Sequence, residues 1–383
     1  MKYIRVLLIA CLLLSSSACE QNQESRANSM GTILGEDAQA FDKVVAGKKF
    51  TFPADHLAHP AFRQEWWYLT ANLTTASGEP IGIQWTQFRV ALASEPPHSL
   101  SPWASNQLYM AHAALTSVDQ HLATERWSRG RAALTGAFPS PITLALENWR
   151  WQSEGNRLFP AELKVEQGQL KEQAAGEHIL EYRAPEYQLS LTSTAPFQLQ
   201  GDKGYSIKTP DGSVASYYYS QPFIQVSGEV KLNDQWVQVT GDAWLDREWS
   251  SQFLNRNQQG WDWFSLRLDD GSALMLFQLR PANKGGAPFY SARRMFADGQ
   301  GETIASERIT MQATKWHSLN GKSYPIGWQI KIAKADETNQ GIDLHISPLN
   351  PNALMPLSIS YWEGPIKISG SHTGVGYMEL TGY

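Results

Sequence analysis

Apolar and polar residues alternate along most of the chain after residue 50, which is the pattern of half-buried β-strands. The first strand is predicted to carry on one face Trp67, Leu69, Ala71 and Leu73. The turn sequence Ser-Gly-Glu-Pro at 77–80 follows it. In the next strand, Ile81, Ile83 and Trp85 would point to one face, whereas Phe88 and Val90 would point to the opposite face. This change of phase predicts a β-bulge within the strand.

The same pattern recurs in the second half of the chain. Residues 261–268 and 273–279 flank the turn sequence Asp-Asp-Gly-Ser, which predicts a β-hairpin. An aromatic cluster opens this hairpin and Gln-Leu-Arg closes it, as Trp-Trp-Tyr and Gln-Phe-Arg do in the earlier hairpin. We therefore expect an all-β chain with two related antiparallel domains, at residues 49–230 and 231–383. A helix is predicted for residues 304–314.

The N-terminal segment has its own pattern. Lys2 and Arg5 precede the apolar run 6–14, and small residues follow up to Cys19. A positive start, a short apolar core and a small-residue end are typical of a secretory signal peptide, predicted here at residues 1–19. The apolar run is shorter than the roughly 20 residues that a membrane-spanning helix needs. We therefore expect an exported protein.

Cys19 lies at a lipobox-like sequence, so it is predicted to carry a lipid anchor. Glu20 follows it, which favours the outer membrane in a Gram-negative cell. The alternative is ordinary cleavage near Ala18, giving a soluble periplasmic protein. Residues 20–48 are polar and are predicted to be a flexible tether to the first domain.

Composition narrows the possible partners and chemistry. The two cysteines, Cys11 and Cys19, both lie in the signal segment, so the mature chain has no disulfide and no thiol nucleophile. Loss of Lys2 and Arg5 changes the net charge from −5 to about −7, which argues against nucleic acid as a partner. The 15 tryptophans suggest broad aromatic surfaces in a core or around an apolar ligand.

Familiar catalytic and cofactor motifs are missing from the sequence. It contains no Gly-x-Ser-x-Gly, His-Glu-x-x-His or Walker sequence. The nine histidines include His56 and His59 but show no metal-site spacing with carboxylates. We therefore expect neither a cofactor nor a metal.

Two groups of carboxylates and aromatic residues are candidates for chemistry. Glu65 begins the sequence Glu-Trp-Trp-Tyr, and residues 244–249 read Trp-Leu-Asp-Arg-Glu-Trp. In a strand, Trp244, Asp246 and Glu248 would share one face, opposite Leu245, Arg247 and Trp249. The carboxylates could form an ion-pair cluster with an arginine that joins the domains. Alternatively, they could lie in an aromatic pocket and act on a ligand.

Other side chains also leave two interpretations open. In Tyr217-Tyr218-Tyr219, alternation sends Tyr218 to the face opposite its neighbours. These rings could pack the core, or one hydroxyl could face a ligand, and the same alternatives apply to Trp261 and Trp263. Lys203 and Lys208 are expected to lie on the solvated surface.

These residues carry a family resemblance over about residues 50–383. The resemblance is to the AttH-like family and the related hydroxyneurosporene synthases, the carotenoid 1,2-hydratases (CrtC). The motifs that carry it are Glu65–Tyr68, Ala243–Ser251, Gly260–Phe264, Tyr361–Gly364 and Gly376–Tyr383. The resemblance implies two lipocalin-like antiparallel β-barrels packed side by side. It also implies export, an association with ABC-type efflux systems, and bulky apolar ligands.

The related hydratases add water to an isolated C=C bond. Protonating such a bond needs a carboxylic acid kept neutral, and aromatic faces would stabilise the carbocation that forms. In the hydratases the matching segment has an Asp between two His, whereas here Asp246 lies between Leu245 and Arg247. A guanidinium next to Asp246 would lower the pKa of this carboxyl and oppose proton donation.

Three functions remain open from the sequence. The first is an exported, lipid-anchored protein that binds or chaperones an apolar, lipid- or isoprenoid-like ligand, as an accessory to an efflux system. The second is a hydratase or isomerase, a hydro-lyase that uses Asp246, Glu248 and Glu65. The third is a transporter accessory that acts through protein contacts. The residues predicted to bind the ligand are Trp67, Tyr68, Tyr218, Trp244, Trp249, Trp261 and Trp263.

Overall fold

Strands form nearly all of the regular structure in the computed structural model of the chain. The structure describes residues 38–99, 101, 104–130, 134–167, 184–283, 285–335 and 341–383. Short 3-10 turns occur at Ala38–Ala40, Ala54–His56 and Ser306–Arg308. No helix in these ranges has the length and apolar character needed to cross a membrane. The predicted signal peptide, Cys19 and most of the predicted tether lie outside the described residues.

The first sheet is antiparallel and has 13 strands within the described residues. Its strands are β1 (Gln64–Thr75), β2 (Pro80–Ala91), β3 (Gln107–Thr116), β4 (His121–Arg129), β5 (Thr135–Pro139), β6 (Ile142–Leu146), β7 (Trp149–Ser153), β8 (Ala161–Val165), β9 (Tyr187–Thr192), β10 (Gln198–Leu199), β11 (Tyr205–Ile207), β12 (Ala215–Leu232) and β13 (Gln235–Ser250). Their order is β4-β3-β2-β1-β13-β12-β9-β8-β7-β6-β5, and β10 and β11 pair with β12.

The second sheet is antiparallel and has 10 strands within the described residues. Its strands are β14 (Gln258–Leu268), β15 (Ala273–Pro281), β16 (Phe289–Met295), β17 (Gly301–Ile304), β18 (Ile309–Leu319), β19 (Lys322–Ile332), β20 (Ile342–Pro348), β21 (Leu354–Met355), β22 (Tyr361–Gly370) and β23 (Gly374–Thr381). Their order is β17-β16-β15-β14-β23-β22-β20-β19-β18, and β21 pairs with β22.

The first sheet curls into a barrel and the second into a half-barrel. Inside the barrel, Trp85 of β2 stacks on Trp151 of β7 with ring centroids 6.1 Å apart, and buried aliphatic side chains such as Leu69 and Ile83 fill the space around them. The barrel interior is therefore a packed core. The predicted all-β class with two antiparallel units is confirmed, and so is the hairpin at 261–279, formed by β14 and β15.

The chain passes from one sheet to the other between residues 250 and 258. This change lies after the 230/231 boundary suggested by the sequence, because β12 and β13 form a long hairpin within the first sheet. The end of the predicted tether is packed on the barrel, since the backbone N–H of Val45 donates to Tyr217 Oη at 3.0 Å.

Two local predictions are wrong. Strand β2 has no bulge, because its register with β1 and β3 is continuous. Its apolar residues change phase because both faces are buried, with Ile83 in the barrel core and Phe88 facing the second sheet. The predicted helix at 304–314 is mainly strand β18, in which Ile309 and Met311 are buried and the residues after each are exposed.

The half-barrel covers the outer face of β1, β2 and β13. Asn72 Nδ2 donates to the carbonyl of Gly376 at 3.0 Å. A Cβ atom at Gly82 would lie only 2.5 Å from Pro365 Cγ, so glycine allows the sheets to approach here. The space between the sheets is closed at this end and opens into a cavity farther along the same strands.

Candidate functional site

A cavity of about 350 Å³ lies between the two sheets. Strands β1, β2, β3 and β13 form one wall, and β14, β15 and β23 contribute to the other. Its apolar lining includes Trp66, Phe88, Met110, Phe277 and Leu279. Concave, mainly apolar sites of roughly 300–1,000 Å³ are typical of small-molecule binding.

The pairing of β1 with β13 decides which motif side chains reach this cavity. Tyr68 lies directly opposite Asp246, and Trp66 lies opposite Glu248. Residues directly opposite on antiparallel strands share a face, so these four side chains point towards the second sheet. All four line the cavity.

Asp246 is buried in the cavity wall and is bound by neutral donors. Among the described residues, Tyr218 Oη donates to Oδ2 at 2.6 Å, Trp244 Nε1 donates to Oδ1 at 2.7 Å, and Ser220 also donates to Oδ1. Burial raises the pKa of Asp246 to about 7, with a further contribution from Glu248, although the three hydrogen bonds lower it. This carboxyl is therefore present in both protonation states near neutral pH.

Glu248 lies beside Asp246 on the same face but has a cationic partner. Lys208 Nζ lies 2.6 Å from Glu248 Oε1, and Ser216 donates to the same oxygen. The ammonium group also lies 4.5 Å from the centre of the Phe277 ring. Lys208 is buried and lines the cavity, which corrects its predicted surface position, whereas Lys203 is exposed as expected.

The second sheet contributes two more carboxyl groups. Glu379 lines the cavity, and its Oε1 accepts hydrogen bonds from Trp261 Nε1 and Thr381 Oγ1, both at 2.9 Å. Burial raises the pKa of Glu379 to about 7. Glu363 lies directly opposite Glu379 on the paired strand and accepts a hydrogen bond from Tyr68. Burial, with Glu379 nearby, raises the pKa of Glu363 well above its usual value.

Glu65 also borders the cavity, but its carboxylate has a different environment. Its oxygens form ion pairs with Arg89 and Arg247, and His59 Nδ1 lies 3.1 Å from Oε2. Burial alone would raise the pKa of Glu65, but the two guanidinium groups outweigh it and hold this pKa well below its usual value. Glu65 is therefore an ionised group that ties β1, β2 and β13 together.

Arg247 and its neighbours pack on the barrel side of β13. The guanidinium of Arg247 lies 3.9 Å from the centre of the Trp67 ring, and His59 stacks on Trp249 at 3.9 Å. Trp67 and Trp249 are outside the cavity lining. Arg247 therefore neutralises Glu65 on one face of the strand, and the donors around Asp246 on the other face are uncharged.

The other predicted ligand-binding residues meet at the cavity. Tyr68, Tyr218, Trp261 and Trp263 line it, whereas Trp244 lies outside the lining and donates a hydrogen bond to Asp246. Trp263 joins the two tyrosines, because its ring packs edge-on against Tyr68 at 5.1 Å and its Nε1 donates to Tyr218 Oη at 3.3 Å. Tyr217 and Tyr219 pack instead with Trp249 on the opposite face.

Sequence reasoning missed Glu363, Glu379 and Lys208 as site residues. Glu363 and Glu379 belong to motifs that carry the family resemblance, and each lies two residues after a tyrosine in an apolar strand. A carboxylate on a buried face of a strand requires a partner or a raised pKa. The position of both glutamates in apolar strands could therefore have indicated that they belong to a site. Lys208 lies next to a turn-like segment and gave no such signal.

In the described ranges, no group of three or more His, Cys, Asp or Glu residues could hold a metal ion.

Comparisons with known proteins agree with this architecture. The crystal structure of an AttH protein from Nitrosomonas europaea superposes with a TM-score of 0.72 at 31% identity, covering 90% of this chain and 100% of that one. Kievitone hydratase from Nectria haematococca is 13% identical, with a TM-score of 0.62 over 89% of this chain and 95% of that one, and shares the fold.

The predicted lipocalin-like fold is confirmed by these structures. No curated protein sequence matches the chain. The AttH-like family model matches residues 43–383. The chain therefore belongs to the AttH-like family.

Proposed function

We propose that this protein is an enzyme that binds a largely apolar small molecule between its two sheets and moves a proton through Asp246, as in hydration or isomerisation. The observation that carries this proposal is a buried cavity carboxyl with neutral hydrogen-bond donors and a pKa of about 7. General acid–base catalysis is most effective when the pKa of the catalytic group lies near the working pH.

Other cavity residues fit supporting roles. The indole rings of Trp261 and Trp263 offer aromatic faces to positive charge that develops on a protonated substrate. Tyr218 and Trp244 fix the orientation of the Asp246 carboxyl. Glu379 offers a second carboxyl of similar pKa on the opposite sheet.

From the sequence, Arg247 was expected to lower the pKa of Asp246 and oppose proton donation, but its position argues against this effect. Its guanidinium binds Glu65 on the barrel side of β13, so it does not neutralise Asp246. Kievitone hydratase supports the proposal only through its fold and its name, since the identity is 13%. The absence of the flanking histidines of the carotenoid hydratases makes an isolated C=C bond a less suitable substrate.

The alternative is a non-catalytic carrier of an apolar ligand. The apolar lining, with Trp66, Phe88 and Met110, supports this function as well as it supports an enzyme. The two functions differ in whether the ligand is returned unchanged.

We also propose a cellular location for the protein. The N-terminal sequence supports export, a lipid on Cys19, and the periplasmic face of the envelope, with the outer membrane favoured. Association with an ABC-type efflux system is proposed from the family resemblance. Incorporation of labelled palmitate by the full-length chain and its loss in Cys19→Ser test the anchor, and purification from membranes tests the transporter contact.

The catalytic proposal is tested with a lipid extract of the source membranes. The protein and extract are incubated in D₂O, and mass spectrometry records compounds that gain deuterium or the mass of water. Wild-type protein is compared with Asp246→Asn and with a matched control, Asp262→Asn. Asp262 is also buried, but it pairs with Arg280 outside the cavity lining.

We expect labelling with wild-type protein and Asp262→Asn, and none with Asp246→Asn. Equal labelling by Asp246→Asn would exclude the assigned role of Asp246. A compound that copurifies unchanged, with no labelling by any variant, would favour the carrier.

A further inference from the structure

Tyr68 and Glu363 form a buried pair that joins the two sheets at the cavity. Tyr68 belongs to β1 and lines the cavity, whereas Glu363 belongs to β22. The Tyr68 hydroxyl donates to Glu363 Oε1, and the two residues are 6% and 1% exposed. The cavity wall thus includes a tyrosine whose hydroxyl is bound to a carboxyl group outside the cavity lining.

Glu363 is surrounded by groups that disfavour its charge. It lies directly opposite Glu379, and cross-strand Cβ atoms at such positions are about 4.5–5.5 Å apart. Among the described residues, the groups that act on Glu363 are Glu379, Tyr68 and Tyr361, none of them cationic. Two adjacent carboxyl groups without a cation do not both ionise readily.

A protonated Glu363 changes what Tyr68 can do. The carboxyl O–H can donate to Tyr68 Oη, which frees the phenolic proton for a ligand in the cavity. Burial, with Glu363 and Glu379 nearby, raises the pKa of Tyr68 well above its usual value, so the phenol keeps its proton. A tyrosine hydroxyl combined with a neutral carboxylic acid is a known arrangement for stabilising negative charge on a substrate oxygen.

Tyr68 also lies next to the proposed acid–base group. It is directly opposite Asp246 in the pairing of β1 with β13. An oxygen bound to Tyr68 would therefore lie close to a carbon that Asp246 can protonate or deprotonate.

We propose that Tyr68, backed by Glu363, is a donor subsite for a carbonyl or phenolic oxygen, and that the substrates are apolar molecules that carry such an oxygen. This inference rests on the proposed function and names its substrate class. The proposed substrate therefore carries a C=C bond conjugated with an oxygen-bearing group, rather than an isolated C=C bond.

The chemistry balances without another reactant. Asp246 carboxylate takes a proton from a carbon next to the carbonyl, and the C–H electron pair forms a C=C bond as the carbonyl electrons move to oxygen. The hydrogen bond from Tyr68 stabilises this enolate. Asp246 then returns the proton to a different carbon of the conjugated system, which restores the carbonyl and completes an isomerisation.

The subsite is tested by binding 2-naphthol and naphthalene, which differ by one hydroxyl. Affinities are measured by calorimetry for wild-type protein, Tyr68→Phe and the control Tyr187→Phe. Tyr187 is also buried, but its hydroxyl donates to the Gln84 carbonyl inside the barrel. We expect Tyr68→Phe to bind 2-naphthol about 10-fold more weakly and naphthalene unchanged, with no selective effect in Tyr187→Phe.

If Tyr68→Phe weakens the binding of both probes equally, or of neither, the proposed subsite would be overturned. That result together with labelling dependent on Asp246 would leave the proposed function standing, whereas failure of both probes to bind would overturn both. If Tyr68→Phe does not fold, infrared spectroscopy of 2-acetylnaphthalene bound to wild-type protein decides. The carbonyl frequency should lie below its value in hexane, and an equal frequency would contradict the subsite.

Discussion

Glu65 and Asp246 are both buried carboxyl groups on paired strands, but they face opposite sides of the first sheet. They are 0% and 2% exposed. Glu65 faces the barrel and binds two arginines, which hold its pKa well below the usual value. Asp246 faces the cavity and binds only neutral donors among the described residues, and its pKa rises to about 7.

The comparison shows that burial alone does not determine the role of these motif residues. Desolvation raises the pKa of both groups, and the guanidinium groups reverse its effect only at Glu65. The barrel face of the motifs thus stabilises the fold, while the cavity face retains a carboxyl able to exchange a proton.

Glu65→Gln should give the largest change in stability. It leaves Arg89 and Arg247 buried without their counter-charge, so we expect a loss of about 3–5 kcal/mol in the free energy of unfolding. Urea denaturation at neutral pH measures this loss. A loss below about 1 kcal/mol would mean that the arginines are not held by Glu65.

The pH dependence of stability should differ in sign between the two carboxyl groups. Asp246 has a folded-state pKa of about 7 against the usual aspartate value of 3.8, so the folded protein binds more protons between these values and stability falls as pH rises through them. Asp246→Asn removes this fall, and its stability relative to wild type should increase by a few kcal/mol from pH 4 to pH 8.

The contribution of Glu65 to folding stability should depend on pH in the opposite direction. The folded-state pKa of Glu65 lies below the usual glutamate value of 4.5, so its contribution to stability is present above that pH and is lost as pH falls. A relative stability of Asp246→Asn that stays constant or decreases with pH would contradict the comparison.

Lys208→Met tests Glu248, which lies on the same face of β13 as Asp246 but, like Glu65, has a cationic partner. The substitution leaves Glu248 without its ammonium partner, and we expect a loss of about 2 kcal/mol. Lys203→Met, at an exposed position, should change stability by less than about 0.5 kcal/mol. Thermal unfolding of both variants checks the difference, and equal effects would refute the buried ion pair.

Trp244→Phe should produce the smallest change, on Asp246 itself. Removing the indole N–H takes one hydrogen bond from the ionised carboxylate, so the pKa of Asp246 should rise by about one. The control is Trp261→Phe, which removes a donor from Glu379 instead. The titration of Asp246 should move in the first variant only, and an unchanged titration there would argue against this hydrogen bond.

The sequence was informative wherever a short-range pattern decides the structure. Alternation correctly separated Asp246 and Glu248 from Arg247, and the turn sequence at 269–272 located the hairpin of β14 and β15. The same alternation misled at β2, because a strand covered on both faces loses its simple period. The change of phase at Phe88 marks the cavity wall rather than a bulge.

The contacts that determine chemistry were beyond such patterns. Glu65 meets Arg247 across 182 positions of the chain, and Tyr68 meets Glu363 across 295. These contacts depend on which strands pair and on how the second sheet packs over the first. The raised pKa of Glu363 and the burial of Lys208 both follow from that packing, and Lys208 has no local sequence signal.

The pKa of Asp246 is raised, whereas that of Glu65 is lowered. Protein labelled with ¹³C at the aspartate Cγ atoms can be titrated by NMR, with Asp246→Asn identifying the resonance. We expect a resonance that titrates near pH 7 and disappears in the variant. A resonance of Asp246 that titrates at or below the usual aspartate value of 3.8 would contradict a proton-exchanging carboxyl in the cavity.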